Sequence, residues 1–178
     1  QGTVPYLHHQ GCCQMPPDLD RVTETLISLG KSPNAAAVLI VSLGCEGTDT
    51  ERLYQEIAAT GKPTEIVRIQ EIGGVSKAIQ RGIDLARKLV IAVSGLQRQA
   101  VDISKVVMAI KCGASDTTSG MASNCVIGYV ADKLVDLGAT VIFGETTEFI
   151  GGEHLLARRA VNGQVAQKIY DIVAAMEQ

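Results

Sequence analysis

The sequence predicts an α/β fold: a Rossmann-like, doubly wound parallel sheet of about five strands with helices on both faces. Three observations carry this. Apolar runs of strand length, rich in β-branched residues, recur along the chain. Each is followed by a stretch with apolar residues at helical spacing. Polar turns bearing glycine separate the two, as at Gly44, Gly73-Gly74, Gly113 and Gly144. Strands alternating with helices in this way argue for parallel strands joined by crossovers.

The elements follow in order. Gln1 to Tyr6 is expected to enter as the first strand, and Pro16-Pro17 closes the polar loop after it. Asp18 stands where an N-cap belongs, and Leu19, Val22, Leu26 and Leu29 form the core face of a helix that stops at Gly30. Ala35 to Leu43 is apolar on both faces, as a buried parallel strand requires. Thr48 and Glu51 form a capping box for a helix with Leu53, Tyr54 and Ile57 inward, and Gly61-Lys62-Pro63 ends it. Thr64 to Ile69 is the third strand. The next helix presents Val75, Ile79, Ile83, Ala86 and Val90. It continues through Leu89 to Val93, because Arg87 and Lys88 extend the amphipathic pattern. Gln97 to Lys105 is a connector, and Val106 to Ile110 the fourth strand. The helix after its turn carries Val126, Val130 and Leu134 and ends near Gly138. Ala139 to Phe143 is the fifth strand. Two short helical stretches finish the chain, the second with Val165, Ile169, Ile172 and Val173 as its apolar face. No low-complexity segment or interior linker interrupts this order, so one domain over residues 1–178 is the simplest account.

Composition excludes several classes. The 178 residues are 46% hydrophobic and 20% charged, ordinary for a globular chain with a core. There is no Trp and only two Phe, which leaves little for base stacking. A net charge of -3 without a basic run argues against nucleic acid and anionic membrane as partners. No apolar run approaches the roughly 18–20 residues that span a bilayer. No signal pattern is present and the first residue is not Met, so it reads as an internal position of a longer product or a processed end. The five cysteines, Cys12, Cys13, Cys45, Cys112 and Cys125, are odd in number. That argues against a disulfide framework and for a reducing cytoplasm, with thiols free for metal or catalysis. No G-x-G-x-x-G, G-x-x-x-x-G-K-[ST] or G-x-S-x-G motif occurs, which disfavours a nucleotide-binding redox enzyme, a P-loop ATPase and an α/β-hydrolase.

In a parallel sheet all strand C-termini lie on one edge, and the loops there form the site. The first such loop offers His8, His9, Cys12 and Cys13, and the second Cys45 and Glu46. The third offers Gln70, Glu71, Gly73 and Gly74, the fourth Cys112, Ser115, Asp116 and Ser119, and the fifth Glu145 and Glu148. Four of the five cysteines fall at these ends, whereas core cysteines would fall within the apolar elements, as Cys125 alone does. The richest stretch is Val106 to Asn124. Its turn holds a thiol, a carboxylate and hydroxyls at a helix N-terminus that favours an anion; the plain alternative is a polar loop that caps its helix. Three thiolates from three loops could hold zinc or iron, a cluster included, with a coordination position left open. Equally, they could be small residues beside glycine turns. A vicinal disulfide at Cys12-Cys13 is disfavoured by its strain. His8 and His9 read as ligands, acid–base groups or solvated surface. His154 reads as a catalytic group or a helix cap, and the Glu145/Glu148 pair as a general base, a metal ligand or helix caps.

Together these motifs resemble the altronate/galactarate dehydratase family of sugar-acid hydro-lyases, which includes the large subunit of sulfolactate sulfo-lyase. The resemblance rests on His8 with Gly11-Cys12, Leu43-Gly44-Cys45-Glu46, Ile69-Gln70-Glu71 with Gly73-Gly74, and Cys112-Gly113 with Ser115-Asp116. It continues through Ser119-Gly120 with Asn124, Glu145 with Glu148, and Gly152-Glu153-His154-Leu155-Leu156 with Arg159-Ala160. Four positions depart from the family pattern, Cys13, Ala114, Cys125 and Gly144. They sit in site loops and so bear on substrate choice more than on reaction class.

The resemblance implies an iron-dependent lyase for acidic sugars, of which this chain is the first large domain of the catalytic portion. Its partners would be a small acidic sugar, a missing N-terminal domain or small subunit, and further copies of the chain. The reaction would be β-elimination of water from a polyhydroxy carboxylate, giving a 2-keto-3-deoxy acid. Cys12, Cys45 and Cys112 are expected to hold Fe2+, an iron–sulfur cluster or another divalent metal, with His8 as an alternative ligand. Asp116 or Glu145 would be the base and His154 the acid. Gln70, Gly73, Gly74, Ser115, Ser119, Asn124 and Glu148 would contact substrate. Two rivals stand beside this: sulfite elimination from sulfolactate, and an isolated domain that binds without turnover.

Overall fold

Two βαβ arrangements organise the chain, one in each of two compact units, Gln1–Arg98 and Gln99–Gln178. The boundary falls inside the expected connector. The computed structural model describes residues 2–8 and 11–178, so the expectations placed on Gln1 and His9 lie outside the described residues.

In the first unit the elements are α1 (Pro16–Lys31), β1 (Val38–Ser42), α2 (Thr50–Ala58), β2 (Thr64–Arg68) and α3 (Val75–Val93). Helix α1 opens on two prolines, whose fixed φ suits the first turn and whose missing N–H is not needed there. Met15 takes the cap position, and Asp18 sits in the first turn instead. The Lys62 ammonium donates to the carbonyls of Gly30 at 2.6 Å and Ser32 at 2.7 Å, satisfying groups that the helix end leaves open. Helix α2 is capped by Asp49, which accepts the Arg52 N–H at 2.9 Å. The expected Thr48–Glu51 box is therefore not formed.

Strands β1 and β2 pair in parallel from Val38↔Thr64 to Ser42↔Arg68. Alternation sends Ile40 to one face, where it packs with Ile27, Leu53 and Ile57. It sends Leu39 to the other, where Val67, Ala78 and Leu85 cluster. So α1 and α2 cover one face and α3 the other. Gly30 is the close-approach point on the first face: a Cβ there would lie 2.2 Å from Ile57 Cδ1.

The second unit holds a 3-10 turn at Ile103–Lys105, β3 (Val107–Ile110), a π-helical turn at Ser119–Ser123, α4 (Asn124–Asp136) and β4 (Thr140–Phe143). A second 3-10 turn at Thr146–Phe149, α5 (Glu153–Ala157) and α6 (Gly163–Met176) complete it. Strands β3 and β4 pair in parallel from Val107↔Thr140 to Ile110↔Phe143. The core here is thin. Among the described residues only Ala139 and Val173 are buried apolar side chains, while Val107, Ile142 and Phe143 are more than half exposed. No helix among the described residues is long and apolar enough to cross a membrane.

The five-stranded, doubly wound sheet is not formed. Two separate two-stranded parallel sheets, β1–β2 and β3–β4, take its place. The expected first strand is absent: residues 2–8 have no regular structure, Pro5 lacks a ladder N–H, and Val4, Tyr6 and Leu7 project into solvent. The other four strands each pair with the strand reached across α2 or α4. Alternating strand and helix patterns are satisfied by two such local units as well as by one sheet. The inward face of α3 also differs from expectation. It buries Ala78, Leu85 and Leu89, and leaves Val75, Ile79 and Ile83 exposed. Likewise Val126 and Val130 of α4 are exposed rather than buried.

Candidate functional site

In the second unit, parallel pairing of Ile110 with Phe143 brings the chain out of the sheet as two adjacent ends. Lys111-Cys112 follows one strand and Gly144-Glu145 the other. Glu145 adopts the left-handed conformation, with φ 61°, a strained state for a residue with a side chain. That turn leads directly into the 3-10 segment that presents Glu148. The Cys112 thiol donates to Glu145 Oε2 and to Glu148 Oε1, each at 3.5 Å. Among the described residues these three form the one group of ligating side chains whose donor atoms lie within 4.8 Å of one another. The Lys111 ammonium pairs with Glu145 Oε1 at 2.5 Å, and it donates to the Cys112 carbonyl at 2.7 Å.

The charges bias each other. Glu145 and Glu148 push the Cys112 thiol above its ordinary range, so the sulfur keeps its proton. Lys111 holds the Glu145 carboxyl below its usual range, and Glu145 raises Lys111 in return. A thiol flanked by two carboxylates is a donor set for a borderline divalent ion such as Fe2+ or Zn2+, bound as the thiolate once the proton leaves. The donor atoms of these three residues lie close enough together to hold a metal ion.

Asp116 begins the helix that leads through the π turn into α4. Its Oδ1 accepts the Thr118 N–H at 2.8 Å, the Thr118 hydroxyl at 2.5 Å and the Ser119 N–H at 3.2 Å. Ser119 Oγ accepts the Asp116 N–H at 3.0 Å, completing a reciprocal cap. The Thr118 hydroxyl and these N–H groups hold the Asp116 carboxyl below its usual range. Ser115 places its hydroxyl beside the Cys112 thiol. The turn at Ser119–Ser123 widens to π geometry, a feature often found at functional sites, and Asn124 opens α4 from its last residue. His154 is exposed in the first turn of α5.

The first unit repeats the layout with other side chains. Gln70, after β2, donates its amide to Cys45 Sγ at 3.2 Å. Glu46 Oε2 accepts the Gly44 N–H at 2.6 Å. Burial pushes the Glu46 carboxyl up, but the Ser42 hydroxyl and the N–H groups of Glu46, Gly44 and Cys45 outweigh it and hold it low. The Gly47 N–H donates to the Gly11 carbonyl at 2.9 Å, which ties the Cys12 loop to the Cys45 loop. Gly73 and Gly74 turn the chain into α3 with φ 90° and 111°, a region only glycine enters freely. His8 lies along an open groove with Met15 and with Asp18 and Arg21 of α1.

All five cysteines are free and exposed. Cys12 and Cys45 belong to the first unit and Cys112 to the second. The group the structure assembles joins Cys112 to Glu145, expected as a base, and to Glu148, expected at the substrate. Sequence reasoning missed Lys111. Its signal was its place next to Cys112 at a strand end, facing the loop of Glu145 across a parallel pair.

Comparison with known proteins matches most of the chain in two parts. Residues 1–94 match the family described as D-galactarate dehydratase/Altronate hydrolase, second domain. Residues 103–178 match D-galactarate/Altronate dehydratase, C-terminal. The gap between them brackets the boundary of the two units. The chain is 40% identical to the (2R)-sulfolactate sulfo-lyase subunit beta of Chromohalobacter salexigens, over 99% of this chain and 45% of that protein. It is 32% identical to the galactarate dehydratase (L-threo-forming) of Escherichia coli, over 83% of this chain and 29% of that protein. With the altronate dehydratase of Bacillus subtilis the identity is 29%, over 96% and 34%. The chain thus spans less than half the length of each relative. It belongs to the D-galactarate/altronate dehydratase family.

Proposed function

We propose that this chain is part of a hydro-lyase that dehydrates an acidic sugar, of the altronate or galactarate type, to a 2-keto-3-deoxy acid by metal-assisted β-elimination. The observation that carries the reading is the Cys112–Glu145–Glu148 group at the paired ends of β3 and β4. These three side chains would hold Fe2+. The bound ion would offset the negative charge that develops on the substrate carboxylate and adjacent hydroxyl as the neighbouring proton leaves. Lys111 keeps Glu145 ionised and oriented. Ser115, Ser119 and Asn124 receive the substrate carboxylate at the start of the helix. Asp116 takes the proton, the C–H electron pair becomes the new double bond, and the C–O bond breaks. His154 supplies the proton with which the hydroxyl leaves as water, and the enol becomes the ketone. This reading uses residues of the second unit alone and gives His8, Cys12 and Cys45 no part in holding the metal.

A second reading is supported by the 40% identity to a sulfo-lyase subunit over nearly the whole chain. It keeps the same elimination with sulfite as the leaving group. That relative is a subunit beta, so a companion subunit or further domain is expected to complete the site in either case.

The test uses the longer protein that contains this chain, prepared without oxygen and assayed on galactarate, altronate and sulfolactate. The dehydratase reading expects loss of water from a sugar acid together with bound iron. Release of sulfite alone favours the second reading. Turnover that persists after all metal is removed contradicts both.

A further inference from the structure

Strand β2 pairs with β1 alone among the described residues, so its other side is an edge. The register says which groups that edge offers. The Val38 N–H donates to the Pro63 carbonyl at 3.0 Å, and the Ile69 N–H donates to the Ser42 carbonyl at 2.9 Å. Alternate residues from Pro63 to Ile69 therefore turn their backbone groups toward β1, while Thr64, Ile66 and Arg68 turn theirs outward. The Arg68 carbonyl is taken by the Ile72 N–H at 3.1 Å. The Ile66 N–H and carbonyl, the Thr64 carbonyl and the Arg68 N–H have no backbone partner among the described residues. An open edge of this kind is a template for another strand.

A groove of about 260 Å³ borders the strand, lined by Ile66, Val67, Arg68, Glu71, Ile72 and Arg81. Arg68 is already neutralised, by Glu51 at 2.8 Å and Glu71 at 3.7 Å. Two charges are left over. Arg81 on α3 and Glu65 on β2 take part in no ion pair among the described residues. Glu65 shares the α3 face of β2 with Val67, because residues two apart in a strand point the same way. The other strand of this sheet, β1, carries no charged residue that could fix a register along its outer edge.

We propose that β2 is the seam of a two-fold dimer of this chain, its outer edge pairing antiparallel with β2 of a second copy. The pairing centres on Ile66. Each Ile66 exchanges N–H and carbonyl with its counterpart, and each Arg68 N–H donates to the Thr64 carbonyl across the axis. Centring on Arg68 instead would need the carbonyl that Ile72 already holds. With Ile66 on the axis, Val67 stands opposite Glu65 of the second copy. That carboxylate then meets Arg81, which borders Val67 in the groove, and the symmetry makes the contact twice. A second copy is the occupant because the edge supplies both halves of its own ion pair, as a self-complementary two-fold contact requires. The interface stands in the first unit and is independent of the elimination chemistry proposed for the second.

The test uses the longer protein that contains this chain, with its mass followed by sedimentation over a range of concentrations. A dimer is expected. Arg81→Glu and Glu65→Arg should each raise the dimer dissociation constant by about tenfold or more, because like charges then meet twice across the axis. The two substitutions together should restore the original value, since the pair is reversed rather than lost. In the unsubstituted protein, hydrogen exchange at the Ile66 amide should slow as concentration rises through the dimer transition. A protein that stays monomeric, a dimer indifferent to either single reversal, or a double variant no tighter than the single ones would each overturn the proposal. So would an Ile66 amide protected equally at every concentration, which would mean that another segment of the longer protein covers the edge.

Discussion

In the first unit the paired strands deliver Cys45 to the amide of Gln70, at 3.2 Å. In the second they deliver Cys112 to the carboxylates of Glu145 and Glu148, each at 3.5 Å. The backbone logic is shared, since a parallel register sets two chain ends side by side and the next residues must meet. What differs is the partner. In the first unit a neutral amide donates to the sulfur. Two carboxylates and a thiol, steadied by Lys111, form a ligand set. Packing differs too. The first sheet is covered on both faces by its own helices, whereas the second unit buries little beyond Ala139 and Val173. The better-packed unit pairs its strand-end cysteine with an amide, and the thinly packed one pairs its cysteine with two carboxylates.

Substitutions in both units test this contrast. The largest effect is expected at Asp116. Asp116→Asn should lower turnover of the full-length enzyme by about 10²–10⁴-fold, the range for loss of an acid–base group. Its Tm should barely move near neutral pH, because Asn caps helices as well as Asp does. The carboxyl of Asp116 is held low by Thr118 and Ser119. Its contribution to folding is thus present above the ordinary aspartate range and lost as pH falls through the lowered value. Acid unfolding of Asp116→Asn should lack that component.

Lys111 and Gln70 make the next pair. Lys111→Met should reduce turnover by about 10–100-fold, as expected for a residue that orients a ligand. Gln70→Leu should leave bound iron unchanged. Equal loss of iron in both would erase the distinction between the units.

Core substitutions compare the packing. Ile57 is 1% exposed, and Ile57→Ala should cost about 2–5 kcal/mol in denaturant unfolding of the chain. Ile142 is 53% exposed, and Ile142→Ala should cost less than about 1 kcal/mol. The smallest effect belongs to Asn162, whose side chain caps α6 by accepting the Val165 N–H at 2.9 Å. Asn162→Ala should cost about 1 kcal/mol.

Much of the local structure was legible from residues alone. The apolar runs from Ala35, Thr64, Val106 and Ala139 each became a strand, trimmed at the ends, and α3 continued through Leu89 to Val93 as its charged residues indicated. Two things were not legible. One was which strands pair, since alternation of elements is the same for one sheet and for two local βαβ units. The other was which side of a helix faces inward. Helix α3 carries apolar residues on two sides, so Val75, Ile79 and Ile83 formed as regular a stripe as the buried Ala78, Leu85 and Leu89.

The site divided in the same way. The loops rich in cysteine, carboxylate and glycine were readable as strand ends. The meeting of Cys112 with Glu145 and Glu148 depends on the β3–β4 register and on the left-handed turn at Glu145, a conformation usually left to glycine or asparagine and not signalled by a glutamate. Lys111 escaped notice because a lysine after an apolar strand is ordinarily a solvated end.

The most direct measurement compares iron content in the full-length protein, prepared anaerobically, for Cys112→Ala and Cys45→Ala. The account predicts that Cys112→Ala loses its iron and its activity while Cys45→Ala retains both. Iron retained in Cys112→Ala and lost in Cys45→Ala would contradict it.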